Sequence, residues 1–109
     1  MAELLGTFEQ SVLLSIIGLG EDGYGRAILN HVQESLQRNV SAGAVYATLE
    51  RLEARGLVCS RLAPGTAVRG GRARRYYTVA AEGNRALTET RKALTSMWKD
   101  VDLPAQEGA

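Results

Sequence analysis

Apolar residues recur along this chain at helical spacing for most of its length and at strand spacing for one short stretch. Between residues 4 and 18, Phe8, Val12, Leu13, Ile16 and Ile17 mark a helical stripe, and Thr7 with Gln10 three residues on has the form of a capping box. Gly18, Gly20, Glu21, Asp22 and Gly23 interrupt it. Tyr24, Ile28, Val32 and Leu36 then return every fourth residue and predict a second helix. A third is predicted to open at Ser41, whose hydroxyl can cap free backbone N–H groups. It closes at Gly56, a residue suited to the left-handed turn after a helix. Placed at about 100° per residue, Val45, Leu49 and Leu52 share one side of it, while Gly43, Tyr46, Ala47 and Glu50 fall on the other.

Two helices joined by a short polar turn, the second capped and polar on its outer side, predict a helix-turn-helix. Residues 57–62 and 75–79 come next as strands that bracket residues 63–74, a hairpin with a long tip, or wing. Residues 81–101 contain no proline and, after Gly83, no glycine, with Leu87, Leu94 and Val101 in heptad register and Met97 and Trp98 widening the stripe. Such a helix reaches roughly 30 Å at ~1.5 Å per residue, more than a small winged core needs, so its far half should pack on something else. The expected fold class is mainly α with a small β-hairpin: a winged helix-turn-helix over residues 1–79, continuous with a long C-terminal dimerisation helix over 80–102. Residues 103–109 are expected to be a disordered tail.

At 109 residues the chain is one domain that gains from a partner surface, so an oligomer is expected. No apolar run approaches the roughly 18 residues of a membrane span. The start lacks a signal-like basic segment, and the single cysteine cannot form an internal disulfide. Both point to the cytoplasm and to no membrane partner.

Charge changes the picture more than composition does. The net charge is +1, yet residues 55–79 hold Arg55, Arg61, Arg69, Arg72, Arg74 and Arg75 and no acid. A nearly neutral chain that concentrates positive charge on one hairpin has a site for a polyanion. Arg69, Arg72 and Arg74 stand among Gly65, Gly70 and Gly71, so guanidinium groups on a pliant backbone can reach phosphates or a minor groove.

Other candidate chemistry is sparse. Cys59, between Val58 and Ser60, is expected to be a small buried hydrophobe. A redox-sensing thiol is the alternative if its side chain faces solvent beside Arg61. His31 has no zinc-finger companion and is assigned to a helix surface. The turn at Gly23, Tyr24, Gly25 and Arg26 faintly suggests a phosphate loop, but that motif follows a strand, and here a helix precedes it. Tyr76 and Tyr77 alternate across a strand, so one is expected in the core and the other on the DNA side or against the last helix, with plain packing the favoured reading. No paired carboxylates, Ser/His/Asp order or metal spacing support an enzyme, and no cofactor is expected. Two rivals remain, a winged-helix module that binds protein without sequence-specific DNA binding, and RNA binding through the Arg-Gly loop.

The segments Tyr24-Gly25, Ala44-Val45-Tyr46-Ala47-Thr48-Leu49, Leu52-Glu53-Ala54-Arg55-Gly56-Leu57-Val58 and Gly70-Gly71-Arg72-Ala73-Arg74-Arg75-Tyr76-Tyr77 resemble the PadR family of bacterial transcriptional regulators, in its short form with one C-terminal helix. The resemblance runs from about Leu5 to Trp98. It implies a winged helix-turn-helix, a homodimer built through the last helix with help from the first, and repression of promoters relieved by an effector. Ser41, Ala42, Gly43 and Tyr46 match the start of the family's recognition helix, Tyr24 the tyrosine that opens the second helix, and Arg72 and Arg74 wing bases. Leu87, Leu94, Met97, Trp98 and Val101 are the expected dimer contacts. Trp98 also offers a face for a small aromatic effector, although the short C-terminus shows no clear effector pocket. Ala80 departs from the threonine with which many members cap the last helix. A dimer would set two recognition helices in successive major grooves of double-stranded DNA, so the operator is expected to be an inverted repeat with half-sites ~34 Å apart. Glu50 on the recognition face suits cytosine rather than guanine, which leaves much of the affinity to the wing.

Overall fold

The computed structural model describes residues 4–64 and 73–104. Among the described residues four helices and one hairpin are arranged in the order α1 (Thr7–Leu19), α2 (Gly25–Leu36), α3 (Ala42–Ala54), β1 (Val58–Ala63), β2 (Arg74–Val79) and α4 (Ala81–Trp98), with a 3-10 turn at Gly20–Asp22. The first three helices enclose the core with the base of the hairpin. Val12, Leu13, Ile28, Val32, Val45, Leu49 and Leu52 are fully withdrawn from solvent, and Leu5, Ile16, Leu29, Val58 and Ala86 complete the cluster.

The helix ends show how local chemistry sets these bounds. The expected box at Thr7 and Gln10 is displaced by one residue: Gly6 is the N-cap and donates its N–H to Glu9 Oε1 at 3.0 Å, while Gln10 Nε2 turns back to the Leu5 carbonyl at 3.2 Å. A carboxylate outcompetes an amide there because it also faces the positive end of the helix dipole. Ser41 caps α3 as expected, accepting the Ala44 N–H at 3.0 Å, and Gly56 takes φ +76° after it. Ala80 heads α4 with no side-chain cap, and α4 still begins at Ala81.

The strands run one residue further toward the tip than expected. Val58 pairs with Val79, Arg61 with Tyr76 and Ala63 with Arg74, so Arg74 belongs to the ladder. Alternation along β1 turns Val58 inward and Cys59 outward. Cys59 is therefore exposed rather than buried, with Sγ 3.7 Å from the Thr78 carbonyl. His31 also departs from expectation. It is half-buried between α1 and α2, where Nδ1 lies 2.9 Å from the hydroxyl of buried Ser15 and 3.3 Å from that of Ser35.

α4 packs only through its first half. Gly83, Ala86 and Thr90 are buried, and Thr90 Oγ1 accepts the Leu5 N–H at 3.0 Å, tying the two ends of the chain together. Glycine fits closely at position 83, where a Cβ would lie 2.2 Å from the Leu57 carbonyl oxygen and force the helix to shift. The helix stops at Trp98 and Asp100 takes φ +63°, so Val101 lies beyond it and the heptad register is not carried through. Asp100 and Asp102 disfavour the negative end of a helix, and Pro104 steers the residue before it away from helical backbone. Among the described residues no helix is long and apolar enough to cross a membrane, and no cluster of His, Cys, Asp or Glu could hold a metal.

Candidate nucleic-acid interface

A strip of residues runs from α3 across the start of α2 to the outer face of the hairpin. Ser41 and Gly43 are exposed at the first turn of α3 and Ala42 is half-buried. A Cβ at Gly43 would approach only the Ser41 hydroxyl, at 4.0 Å, so this turn is open to close approach by a large ligand. Tyr46 lies one turn on, 43% exposed, with its ring laid over Gly25 so closely that a Cβ there would sit 2.5 Å from Tyr46 Cε1. Gly25 is the first residue of α2, and Tyr24, its N-cap, continues the strip.

Tyr24 joins the hairpin as a one-residue extension of its sheet. It forms an isolated antiparallel bridge with Tyr76, and the Tyr77 N–H donates to the Gly23 carbonyl at 2.8 Å. The Tyr24 and Tyr76 rings meet edge to face with centroids 5.8 Å apart. The Arg74 guanidinium lies 4.2 Å from the centroid of Tyr24, and that of Arg61 lies 4.9 Å from the centroid of Tyr76. Each cation rests on the electron-rich face of a ring.

Two other arginines of the basic segment serve the scaffold. Arg55 bridges to Glu9 at 2.7 Å and fastens the end of α3 to α1. Arg75 donates to Ser60 Oγ at 3.0 Å, and Ser60 donates in turn to Glu53 Oε2 at 2.7 Å, which ties the opposite hairpin face to α3. On that face burial pushes the Tyr77 phenol above its ordinary value; Arg75 opposes the shift, while Glu53, Tyr46 and Glu50 add to it. Tyr77 is half-buried and packs against the core. Arg69 and Arg72 lie outside the described residues.

Tyr24, Ser41, Ala42, Gly43, Tyr46 and Arg74 are thus brought onto one strip. Arg61 and Tyr76 belong beside them, although the sequence pattern marks Arg61 only as undifferentiated charge and favours packing for Tyr76. Their signal was the alternation: Arg74 and Tyr76 share a strand face, and in register Arg61 lies opposite Tyr76.

The expected self-association residues lie elsewhere. Leu87 is half-buried, while Leu94, Met97, Trp98 and Val101 are exposed. Leu14, Leu87, Leu94 and Trp98 line a groove of about 1220 Å³ between α1 and α4.

Three helices, a capped third helix with an open outer face and a two-stranded wing define a winged helix-turn-helix protein. Residues 13–89 match the model of the transcriptional regulator PadR-like family, and the chain belongs to that family. Members are regulators of transcription, not enzymes. The chain is 47% identical over 62 residues to transcriptional regulator Rv3488 of Mycobacterium tuberculosis; the match covers 57% of this chain and 54% of that protein, so it spans about half of the curated relative's length. A PadR family transcription regulator of Clostridium difficile superposes with a TM-score of 0.66 at 26% identity, covering 84% of this chain and 92% of that one. One from Eggerthella lenta gives 0.64 at 27% identity, with 81% and 74% covered.

Proposed function

We propose that the protein is a sequence-specific double-stranded DNA-binding transcriptional regulator that works as a homodimeric repressor and is released by a small-molecule effector. The observation that carries the reading is the strip from Ser41 through Tyr46, Gly25 and Tyr24 to Arg74, which combines an open helix turn with a cation on one side of the molecule. The small residues Ala42 and Gly43 let the helix approach a groove, and the first-turn N–H groups favour phosphate. Tyr46 supplies a hydroxyl or ring face, and Arg74 supplies a charge-assisted contact to the backbone.

The exposed apolar half of α4, with Leu14 of α1, supports self-association through Leu87, Leu94, Met97 and Trp98. Two copies joined there would carry two recognition helices and call for a palindromic operator with half-sites ~34 Å apart. Trp98 in the same groove offers a ring on which a planar effector can stack. Selecting bound duplexes from a random DNA pool tests the reading. An inverted repeat with that spacing is the expected result, and a pool that emerges without any preferred motif would overturn it.

A further inference from the structure

Among the described residues neither Arg61 nor Arg74 has a carboxylate partner. Each guanidinium is instead parked on a tyrosine ring, that of Arg61 4.9 Å from the Tyr76 centroid and that of Arg74 4.2 Å from that of Tyr24. The two rings are themselves locked together, 5.8 Å apart at 66°, by the backbone bridge between Tyr24 and Tyr76 and by the hydrogen bond from the Tyr77 N–H to the Gly23 carbonyl. In register Arg61 lies opposite Tyr76, and Arg74 is two residues from Tyr76 on β2, so both cations stand on one sheet face in diagonal positions, which in antiparallel sheets lie about 7–8 Å apart. Long side chains that normally lose rotamer freedom on binding have lost much of it in advance.

We propose that Tyr24 and Tyr76 form an aromatic bracket that aims Arg74 and Arg61 at neighbouring phosphates of one duplex strand, so that Arg61 is a DNA contact and the two tyrosines are positioning residues. The bracket rests on the DNA-binding reading and sharpens it. It assigns the role of Tyr24 to its ring rather than its hydroxyl, and it ties the start of α2 to the wing as one electrostatic unit.

Affinity for the selected operator, measured over a salt series with Tyr24→Phe, Tyr24→Leu, Arg74→Ala, Arg61→Ala and the Tyr24→Leu/Arg74→Ala pair, tests this. Tyr24→Phe keeps the ring and is expected to bind within about twofold of the unmodified protein, while Tyr24→Leu weakens binding about threefold, the scale of one exposed cation–π contact. That loss is expected to vanish when Arg74 is already alanine, because the ring then has nothing to aim. Arg61→Ala and Arg74→Ala are each expected to lower the salt slope by about one.

Equal losses in Tyr24→Phe and Tyr24→Leu would show that the hydroxyl itself makes the contact and would overturn the bracket. A Tyr24→Leu loss that persists without Arg74, with or without a lowered melting temperature, would do the same by showing that the ring acts through the fold or alone. An unchanged slope in Arg61→Ala would remove that residue from the interface. Failure of the unmodified protein to bind any duplex defeats the DNA-binding reading itself, whereas firm binding by the unmodified protein with independent variant effects defeats only the bracket.

Discussion

Along the inner stripe of α3, Val45, Leu49 and Leu52 are fully withdrawn from solvent within one subunit, whereas α4 hides Gly83, Ala86 and Thr90 and leaves Leu94, Met97 and Trp98 in water. Trp98 is 56% exposed and Met97 74% exposed, although both are large apolar residues that ordinarily seek cover. The helix that carries the candidate DNA contacts is therefore held rigid by its own chain. The far half of the last helix is left uncovered by the rest of the described chain. On the proposed reading, this separation would let the contact strip keep one geometry while association and release act at the other end.

The comparison breaks most readily at the core of α3. Leu49→Ala empties a fully buried position and is expected to cost about 3 kcal/mol in urea unfolding, lost transfer energy and residual cavity together. Polar substitution of exposed Met97, by contrast, is expected to leave the fold of the chain unaffected. If Leu49→Ala unfolded no more easily than Met97→Gln, α3 would not be the rigid member of the pair.

The docked half of α4 comes next. Gly83→Ala gains about 1 kcal/mol of helix propensity but drives a Cβ against the Leu57 backbone, where only a shift of the whole helix relieves the clash. A net loss of about 2 kcal/mol is expected. The reverse result, an alanine that stabilises, would mean that α4 slides freely on the hairpin and is not docked there.

Trp98→Ala sharpens the other side of the contrast. An exposed aromatic anchor at the end of α4 is expected to change self-association without changing the fold of the subunit. If two copies associate as proposed, sedimentation should show their dissociation constant raised at least about tenfold, which is about 1.4 kcal/mol, with the helical circular dichroism signal retained. A particle whose mass is unaffected by this substitution would place the partner surface elsewhere.

The two helices were unequally legible in the sequence, for the same physical reason. The amphipathic stripe of α3, its cap at Ser41 and its stop at Gly56 are all local signals, and each appears where expected. The end of α4 was missed because a heptad pattern reports what could face a partner, whereas Asp100 and Pro104 decide where the backbone stops being helical. Cys59 was misplaced because its apolar neighbour Val58 takes the inward position on β1, and alternation turns Cys59 to the opposite face of the hairpin. The Tyr24–Tyr76 pairing could not be read at all, since it joins residues far apart in the chain through a single bridge. His31 likewise gained a buried hydroxyl partner from α1 that no spacing in its own helix announces.

The smallest difference between α3 and α4 is at their first residues, and it yields a pair of opposed predictions. Ser41 accepts the Ala44 N–H at 3.0 Å, whereas Ala80 has the extended backbone of an N-cap, φ −78° and ψ 168°, but no side-chain oxygen to offer. Removing the cap with Ser41→Ala is expected to lower stability by about 1 kcal/mol, and supplying one with Ala80→Ser to raise it by up to about the same amount. The gain at Ala80 depends on the first turn of α4 already being held in place, since a cap adds little to a helix end that frays. Buried Gly83 and the Ala80 N–H donated to the Leu57 carbonyl at 2.9 Å hold it there. Urea midpoints of the two variants that moved in the same direction would show that the starts of α3 and α4 do not differ as their hydrogen bonds indicate.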